Sequence, residues 1–437
     1  MKYAVVTFGC RVNQADSLGF EEQFMAAGAE AAPVESADIV VVNTCSVTAS
    51  ADQGARQTIR RIARVNPGAR IIVTGCYATR ERREVAELGN VERVIPNEQK
   101  DQLLRVIRSV DREPAAGPLP EMSTADRFGD GDGHCGSTIE PGVAGRTAFT
   151  LRVQTGCAEP CSYCIIPETR GAPRSTPLAH LLGEIERVHA AGFKEVALTG
   201  VHLGSYGRDL ASTDNLATLL IAVRDKYEAL HGSESALLFR ISSLEPMDCS
   251  TEIVDLVRDS GCFAPHFHLP LQHASSRMLH AMRRPYDLAY YSALVNRIRR
   301  EIPHASIGSD IIVGFPGESG DDFEELAAYL EQSPLTHLHV FPYSDRPGTA
   351  ASKLGNRAPG GVVKERGARV RQIGAKLTRR FVEAQAGTTH RALTLQDGSR
   401  VVTGNYLKVR IAPGLTRNQW VNVRITACDP ELLGQVH

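Results

Sequence analysis

The amino-acid sequence predicts an α/β chain in three parts: an N-terminal parallel-sheet domain over residues 1–110, a central partial (β/α)6 barrel over 146–380, and a small C-terminal all-β barrel over 381–437. Three observations predict it. Apolar runs of strand length alternate with helical patterns along most of the chain, as in a parallel sheet covered on both faces. A stretch rich in proline, glycine and aspartate interrupts that rhythm at 111–145 and reads as a linker. Beyond residue 380 the rhythm gives way to short alternating strands separated by turns.

In the first part, Lys2–Phe8 is an apolar run followed by a helical pattern over Asp16–Ala27. Asp38–Asn43 reads as a buried strand, Ala51–Val65 as an amphipathic helix and Arg70–Gly75 as a third strand, with helices over Glu81–Leu88 and Glu98–Val110. A cysteine follows each of these strands within two residues: Cys10, Cys45 and Cys76. In open parallel sheets ligands gather at the carboxyl ends of the strands, so the three thiols converge on one edge. That suggests a three-thiolate cluster site; three unconnected buried cysteines are the plainer alternative.

The central part repeats strand then helix six times. The strands fall near Ala148–Gln154, Glu195–Thr199, Leu237–Ser242, His266–Leu271, Ser306–Gly314 and Thr336–Phe341. Helical patterns fill the gaps at Leu178–Ala191, Asn215–Ala229, Thr251–Ser260, Leu288–Ile302, Asp321–Gln332 and Val362–Arg380. Six units are too few to close an eight-stranded barrel, so an open one is expected. Polar groups and glycines sit at its strand ends: Gly200 and His202, Ser243 and Glu245, Gln272 and His273, Gly314 and Glu318. Glycines there let backbone approach a ligand closely, and the set reads as a small-molecule site.

After the first of these strands comes TGCAEPCSYCIIP, with Cys157, Cys161 and Cys164 spaced C-x3-C-x2-C. Thiolates this close on a tight loop hold one soft metal centre. Three of them, with no histidine before His180, fit structural zinc poorly, since zinc takes four protein ligands. A cubane iron–sulfur cluster with one iron left open fits better, and the spacing differs from ferredoxin runs.

The C-terminal part offers strands at His390–Gln396, Arg400–Thr403, Tyr406–Val409 and Trp420–Ala427. Small basic barrels with aromatic surfaces bind oligonucleotides, and an inert packing domain is the alternative. A basic run of Lys364, Arg366, Arg369, Arg371, Lys376, Arg379 and Arg380, and the group Arg56, Arg60, Arg61 and Arg64, could meet phosphates. Otherwise they are solvated helix faces. Net charge over the 437 residues is −1, so any RNA affinity must be local. No window has the length and apolarity of a membrane span. The N-terminus lacks a secretory signal, and ten cysteines without a leader read as ligands or thiols in a cytoplasmic protein.

The C-x3-C-x-aromatic-C pattern, with Tyr163 as the aromatic, resembles the signature of the radical S-adenosylmethionine (SAM) superfamily. The wider chain resembles the methylthiotransferases of that superfamily, through FGCRVNQADS, NTCSVTASAD, TGCYATR, QTGCAEPCSYCIIPETRG, LTGVHLGSYG, PLQHASSRML, DIIVGFPGE, FPYSDRPGT and TGNYLKV. The resemblance implies a radical SAM core and a C-terminal TRAM domain at 381–437. It implies two [4Fe-4S] clusters: Cys157, Cys161 and Cys164 hold the SAM-cleaving one, and Cys10, Cys45 and Cys76 the auxiliary one that carries the sulfur. Tyr163, Gly200, Ser243, Glu245 and Gly314 are the expected SAM contacts. The implied partners are tRNA, SAM and an external electron donor; a monomer and no membrane are expected. The N-terminal motifs look most like the branch that converts N6-threonylcarbamoyladenosine at position 37, beside the tRNA anticodon, to its 2-methylthio derivative. The isopentenyladenosine branch and the branch acting on a ribosomal-protein aspartate share the chemistry. A non-catalytic iron–sulfur RNA-binding protein is the more distant alternative.

Overall fold

Five parallel strands form the first sheet, in the order Glu30–Ala31, Lys2–Thr7, Ile39–Thr44, Arg70–Gly75, Val91–Ile95. In the computed structural model the described residues are 1–108, 147–211, 213–230, 237–428 and 431–437. The expected linker 111–145, with Cys135, lies outside them. The central strands are apolar on both faces because both are covered. Val40, Val42, Ile71 and Val73 pack on Ala55, Ile59 and Ile62 of the helix Ala49–Val65. Tyr3, Ile39, Val41 and Ile72 pack on Phe20 and Phe24 of the helix Arg11–Ala26 and on Leu103 and Ile107. Such alternation within a strand is the period of two expected of a pleated backbone.

Three expected helices of this domain differ. The one expected over Asp16–Ala27 already begins at Arg11, directly after Cys10. The stretch given to Glu81–Leu88 holds one short helix, Arg82–Ala86, and a separate one, Cys76–Arg80, precedes it, because Glu81 between them leaves the helical region at φ −116°, ψ 49°. The helix expected over Glu98–Val110 is a 3-10 turn, Lys100–Gln102, running into Leu103–Arg108. Residues 109 and 110 lie outside the described set.

The central strands form two parallel three-stranded sheets. One runs Leu238–Ile241, Glu195–Thr199, Phe149–Arg152 and the other His266–His268, Ser306–Val313, His337–Pro342. A bridge between Phe239 and Phe263 joins the halves, with the Phe239 N–H donating to the Cys262 carbonyl at 2.7 Å. The six strands thus make the expected open barrel. Its hydrophobic core runs from Phe149 through Leu198, Phe239 and Ile307 to Leu377 on the 24-residue helix Gly360–Glu383.

The C-terminal strands close into a five-stranded barrel in the order Thr389–Leu395, Arg400–Thr403, Lys408–Arg410, Leu433–Val436, Trp420–Ala427. Tyr406, placed in a strand from the sequence, instead sits in the turn before Lys408 with φ +68°. That turn docks the barrel. The Arg240 guanidinium donates to the Gly404 carbonyl at 2.9 Å, and Asn405 Nδ2 to the His304 carbonyl at 3.0 Å. Arg11 reaches the Tyr406 hydroxyl at 3.2 Å. Among the described residues no helix is long and apolar enough to cross a membrane.

Candidate active site and metal centres

The two cysteine trios are built by different local devices. In the first sheet Asn43 pairs with Thr74 and Thr44 with Gly75, so Cys45 and Cys76 leave adjacent strands side by side. Cys10 caps the helix Arg11–Ala26 after the turn at Gly9. Gly9 has φ +88°, and a Cβ on it would lie 2.7 Å from Cys45 Sγ. Gly75 has φ +94°, and its Cβ would lie 2.2 Å from the Thr44 carbonyl oxygen. Only glycine permits both the left-handed backbone and this approach. Burial pushes the Cys45 thiol up to about 12, with Cys76 and Cys10 adding to the rise.

The second trio sits on the loop after Phe149–Arg152. Gly156, at φ +78°, would place a Cβ 2.0 Å from the Ala172 carbonyl oxygen, and the Cys157 N–H donates to the Gly171 carbonyl at 3.0 Å. Ser162 pins the loop to the far side of the barrel. Its N–H donates to the Met282 carbonyl at 3.1 Å, its hydroxyl to the Ala281 carbonyl at 2.8 Å, and its carbonyl accepts from Ala351 at 2.7 Å. Burial raises Cys157 to about 11 and Cys164 to about 12.

Cys45 and Cys76 are buried, Cys157, Cys161 and Cys164 half-buried and Cys10 exposed. Thiols gathered in this way are costly as bare thiolates. A cationic metal centre reverses that cost, because a coordinating thiol is deprotonated outright. Each trio therefore fits an iron–sulfur cluster by the chemistry of its donors. Arg284 donates to Cys161 Sγ at 3.2 Å and to the Tyr163 hydroxyl at 3.4 Å, and pairs with Glu245. Beside it lies a cleft of about 480 Å³ lined by Met247, Arg284, Pro285, Tyr286, Asp287 and Tyr290.

A five-residue helix, Ile166–Arg170, joins the trios. It begins two residues after Cys164 and ends at Arg170, a buried guanidinium whose charge faces Cys76 and Cys10. Arg170 donates to Thr155 Oγ1 at 3.1 Å and to Asn13, and meets Asp16 Oδ2 at 3.2 Å. Asp16 is buried and also takes Lys100 at 2.5 Å and Arg152 at 2.5 Å. These cations hold its carboxyl well below the usual carboxylate range despite burial. Asn97 Nδ2 donates to Cys76 Sγ at 3.7 Å and to the Thr169 carbonyl at 2.7 Å.

The other expected site residues scatter more. Tyr163 packs against Met278, Met282, Ile312 and Phe315 beside its own loop. Ser243 is exposed just past Leu238–Ile241, while Glu245 faces all three cysteines of the second trio. Gly200 is packed against Gln154 and Leu203, and Gly314, at φ +75°, against Val363. Both glycines thus have a packing reason to lack a side chain. His273 is fully buried, with burial holding its imidazole down at about 4. The basic run is partly occupied within the fold: Arg366 pairs with Glu318, Arg369 with Glu324, and Arg380 donates to the Ser333 carbonyl. Sequence reasoning missed Arg284, Asn97 and Asp16. Arg170 had one faint signal, its place six residues after Cys164.

The fold and the two thiol sets define a radical SAM enzyme with a second cluster domain. Residues 2–96 match the family described as Uncharacterized protein family UPF0004, and residues 151–330 match the Radical SAM superfamily. A threonylcarbamoyladenosine tRNA methylthiotransferase of Aquifex aeolicus is 37% identical over 415 residues, 94% of this chain and 96% of that one. Another of that name from Bacillus subtilis is 32% identical, covering 86% of this chain and 80% of its own. A tRNA-2-methylthio-N(6)-dimethylallyladenosine synthase of Kineococcus radiotolerans is 31% identical over 91% of this chain and 78% of its own. The chain belongs to the methylthiotransferase family. Among solved structures, the radical SAM methyltransferase TsrM of Kitasatospora setae shares the fold, with TM-score 0.56 and 16% identity over 80% of this chain and 76% of that one.

Proposed function

We propose that this chain methylthiolates C2 of N6-threonylcarbamoyladenosine at position 37 of tRNA, beside the anticodon. One observation carries the reaction: there are two separate cysteine trios at the carboxyl ends of two different sheets, and the helix that follows Cys164 ends in Arg170, whose charge faces Cys76 and Cys10 of the other trio. The substrate rests on the names of the relatives matched along nearly the whole chain.

Cys157, Cys161 and Cys164 are the ligands of the SAM-binding [4Fe-4S] cluster, and Cys10, Cys45 and Cys76 those of the auxiliary one. When bound, these groups supply one-electron cleavage of SAM and the sulfur to be inserted. The protein's own share is positioning. Ser162 fixes the loop of the second trio, and the Arg284 hydrogen bond to Cys161 stabilises negative charge on that sulfur. Glu245, held by Arg284, offers a carboxylate to the amino group of SAM, with Tyr163, Gly200, Ser243 and Gly314 as its further contacts. Arg170 and Asn97 do for Cys76 what Arg284 does for Cys161. The C–H bond at adenine C2 has no acidity that a side chain could exploit, which is why a radical route serves.

In this reading the domains are 1–110 for the auxiliary cluster, 146–380 for the SAM core and 381–437 as a TRAM barrel that grips tRNA. The enzyme acts in the cytoplasm as a monomer and takes electrons from an external donor. Mass spectrometry of tRNA nucleosides from a deletion strain tests the substrate. Loss of the 2-methylthio-threonylcarbamoyl nucleoside supports it, whereas loss of 2-methylthio-isopentenyladenosine instead would move the chain to the sister branch named by its 31% relative.

A further inference from the structure

The second half of the barrel carries a group of histidines that the methylthiolation chemistry does not use. Strands His266–His268, Ser306–Val313 and His337–Pro342 are parallel neighbours, with His268 opposite Gly308, Gly308 opposite His337 and Asp310 opposite His339. By the period of two, His268, Asp310 and His339 share one face of this sheet, away from the buried residues Phe267, Ile307 and Ile311. Gly308 belongs to the same face, and a Cβ on it would lie 2.1 Å from His337 Nε2. The missing side chain is the space in which the ring sits.

His268 Nε2 lies 3.0 Å and His339 Nδ1 3.2 Å from Asp310 Oδ1, and the three donors all lie within 4.8 Å of one another. Ligands about 2.1 Å from an ion and at right angles to each other stand roughly 3.0 Å apart. The observed separations therefore match two edges of a coordination polyhedron with little movement of the strands. Two imidazoles and one carboxylate on one side of an ion, with the other positions open, suit divalent iron and its neighbours in the first transition row. The surroundings hold the donors in place. The His337 ring lies 6.3 Å from His268 and 5.6 Å from His339, and its Nδ1 is 3.0 Å from Thr336 Oγ1. The His268 side chain is 12% exposed and that of His339 56%, so the site is anchored inside and reachable from outside. Donors on three strands of one sheet are more rigid than donors on a loop.

We propose that His268 Nε2, Asp310 and His339 Nδ1 form a binding site for one divalent transition-metal ion, separate from both cysteine trios. Its open positions hold water that an anionic oxygen entering the barrel can displace. The step is ligand exchange, with no change of oxidation state.

The test uses the full chain with both clusters loaded and kept oxidised under anaerobic conditions. Wild-type protein, Asp310→Asn and His339→Gln are dialysed against Zn2+ and washed, and zinc and iron per chain are measured. The expected result is about one zinc more per chain in the wild type than in either variant, at equal iron content. His339 is on the exposed rim, so its variant reports on binding even if Asp310→Asn disturbs the fold. X-ray absorption at the zinc edge of the wild type should show nitrogen and oxygen neighbours. Equal zinc in all three proteins, or sulfur neighbours around the extra zinc, overturns the proposal.

Discussion

The Arg284 guanidinium lies 3.2 Å from Cys161 Sγ while pairing with Glu245, so one side chain couples a cysteine of the second trio to the carboxylate at its mouth. Replacing it by glutamine removes a charge-assisted hydrogen bond to that sulfur. Arg284→Gln is expected to slow formation of 5′-deoxyadenosine about tenfold, equivalent to ~1.4 kcal/mol of barrier, with iron content unchanged. Anaerobic single-turnover assays check the rate, and an unaltered rate would remove Arg284 from the machinery.

The two trios should fail differently. Cys161→Ala is expected to abolish SAM cleavage. Cys45→Ala should retain cleavage yet form no methylthio product, because its loss affects only the N-terminal sheet edge. Quantifying 5′-deoxyadenosine and modified nucleoside in parallel reads both. Equal loss of cleavage in the two variants contradicts the assigned division of labour.

Asp16 sits among Lys100, Arg152 and Arg170, and its removal leaves three cations without their shared anion. Asp16→Ala is expected to cost about 3–5 kcal/mol, the range for breaking one side of a buried ion pair. Chemical denaturation of the cluster-loaded protein measures it. The pH sign follows from the depressed carboxyl. Its stabilisation is fully present above the unfolded value near ~3.9 and is lost as pH falls toward the folded one. The wild type should therefore lose stability on acidification below about pH 4 more steeply than Asp16→Asn.

Gly75 marks the tightest point of the first trio, with the Thr44 carbonyl 2.2 Å from where a Cβ would be. Gly75→Ala meets both this overlap and a left-handed backbone that itself costs about 1–3 kcal/mol. Iron per chain should fall from about eight to about four as only the second cluster assembles. Iron analysis after reconstitution decides it, and a full complement would show that the strand end yields.

Much of this arrangement was legible in the sequence, for physical reasons. Cys157, Cys161 and Cys164 are close in the chain, so their spacing alone constrains their geometry. Cys10, Cys45 and Cys76 were legible because parallel strands bring their ends to one edge, and Thr44 indeed pairs with Gly75. Val91–Ile95 was missed because Glu92 and Arg93 break its apolar run, as befits a strand at the sheet edge. Leu433–Val436 is four residues long and gains its identity only from closing the barrel. Arg284, Asn97 and Asp16 carry no local signature. Their roles arise from partners tens of residues away, which periodicity cannot report.

The helix Ile166–Arg170 has a bearing on how this chain can diversify. One end follows the loop of Cys157, Cys161 and Cys164 and the other seats the N-terminal lobe through Asp16 and Cys76, so neither lobe is an interchangeable part. A chimaera that imports a foreign N-terminal lobe must import the matching helix with it, or the seat is lost. The appended barrel is tied in as well: it is anchored to the central part at Gly404 and Asn405, and its Tyr406 hydroxyl meets Arg11, the neighbour of Cys10.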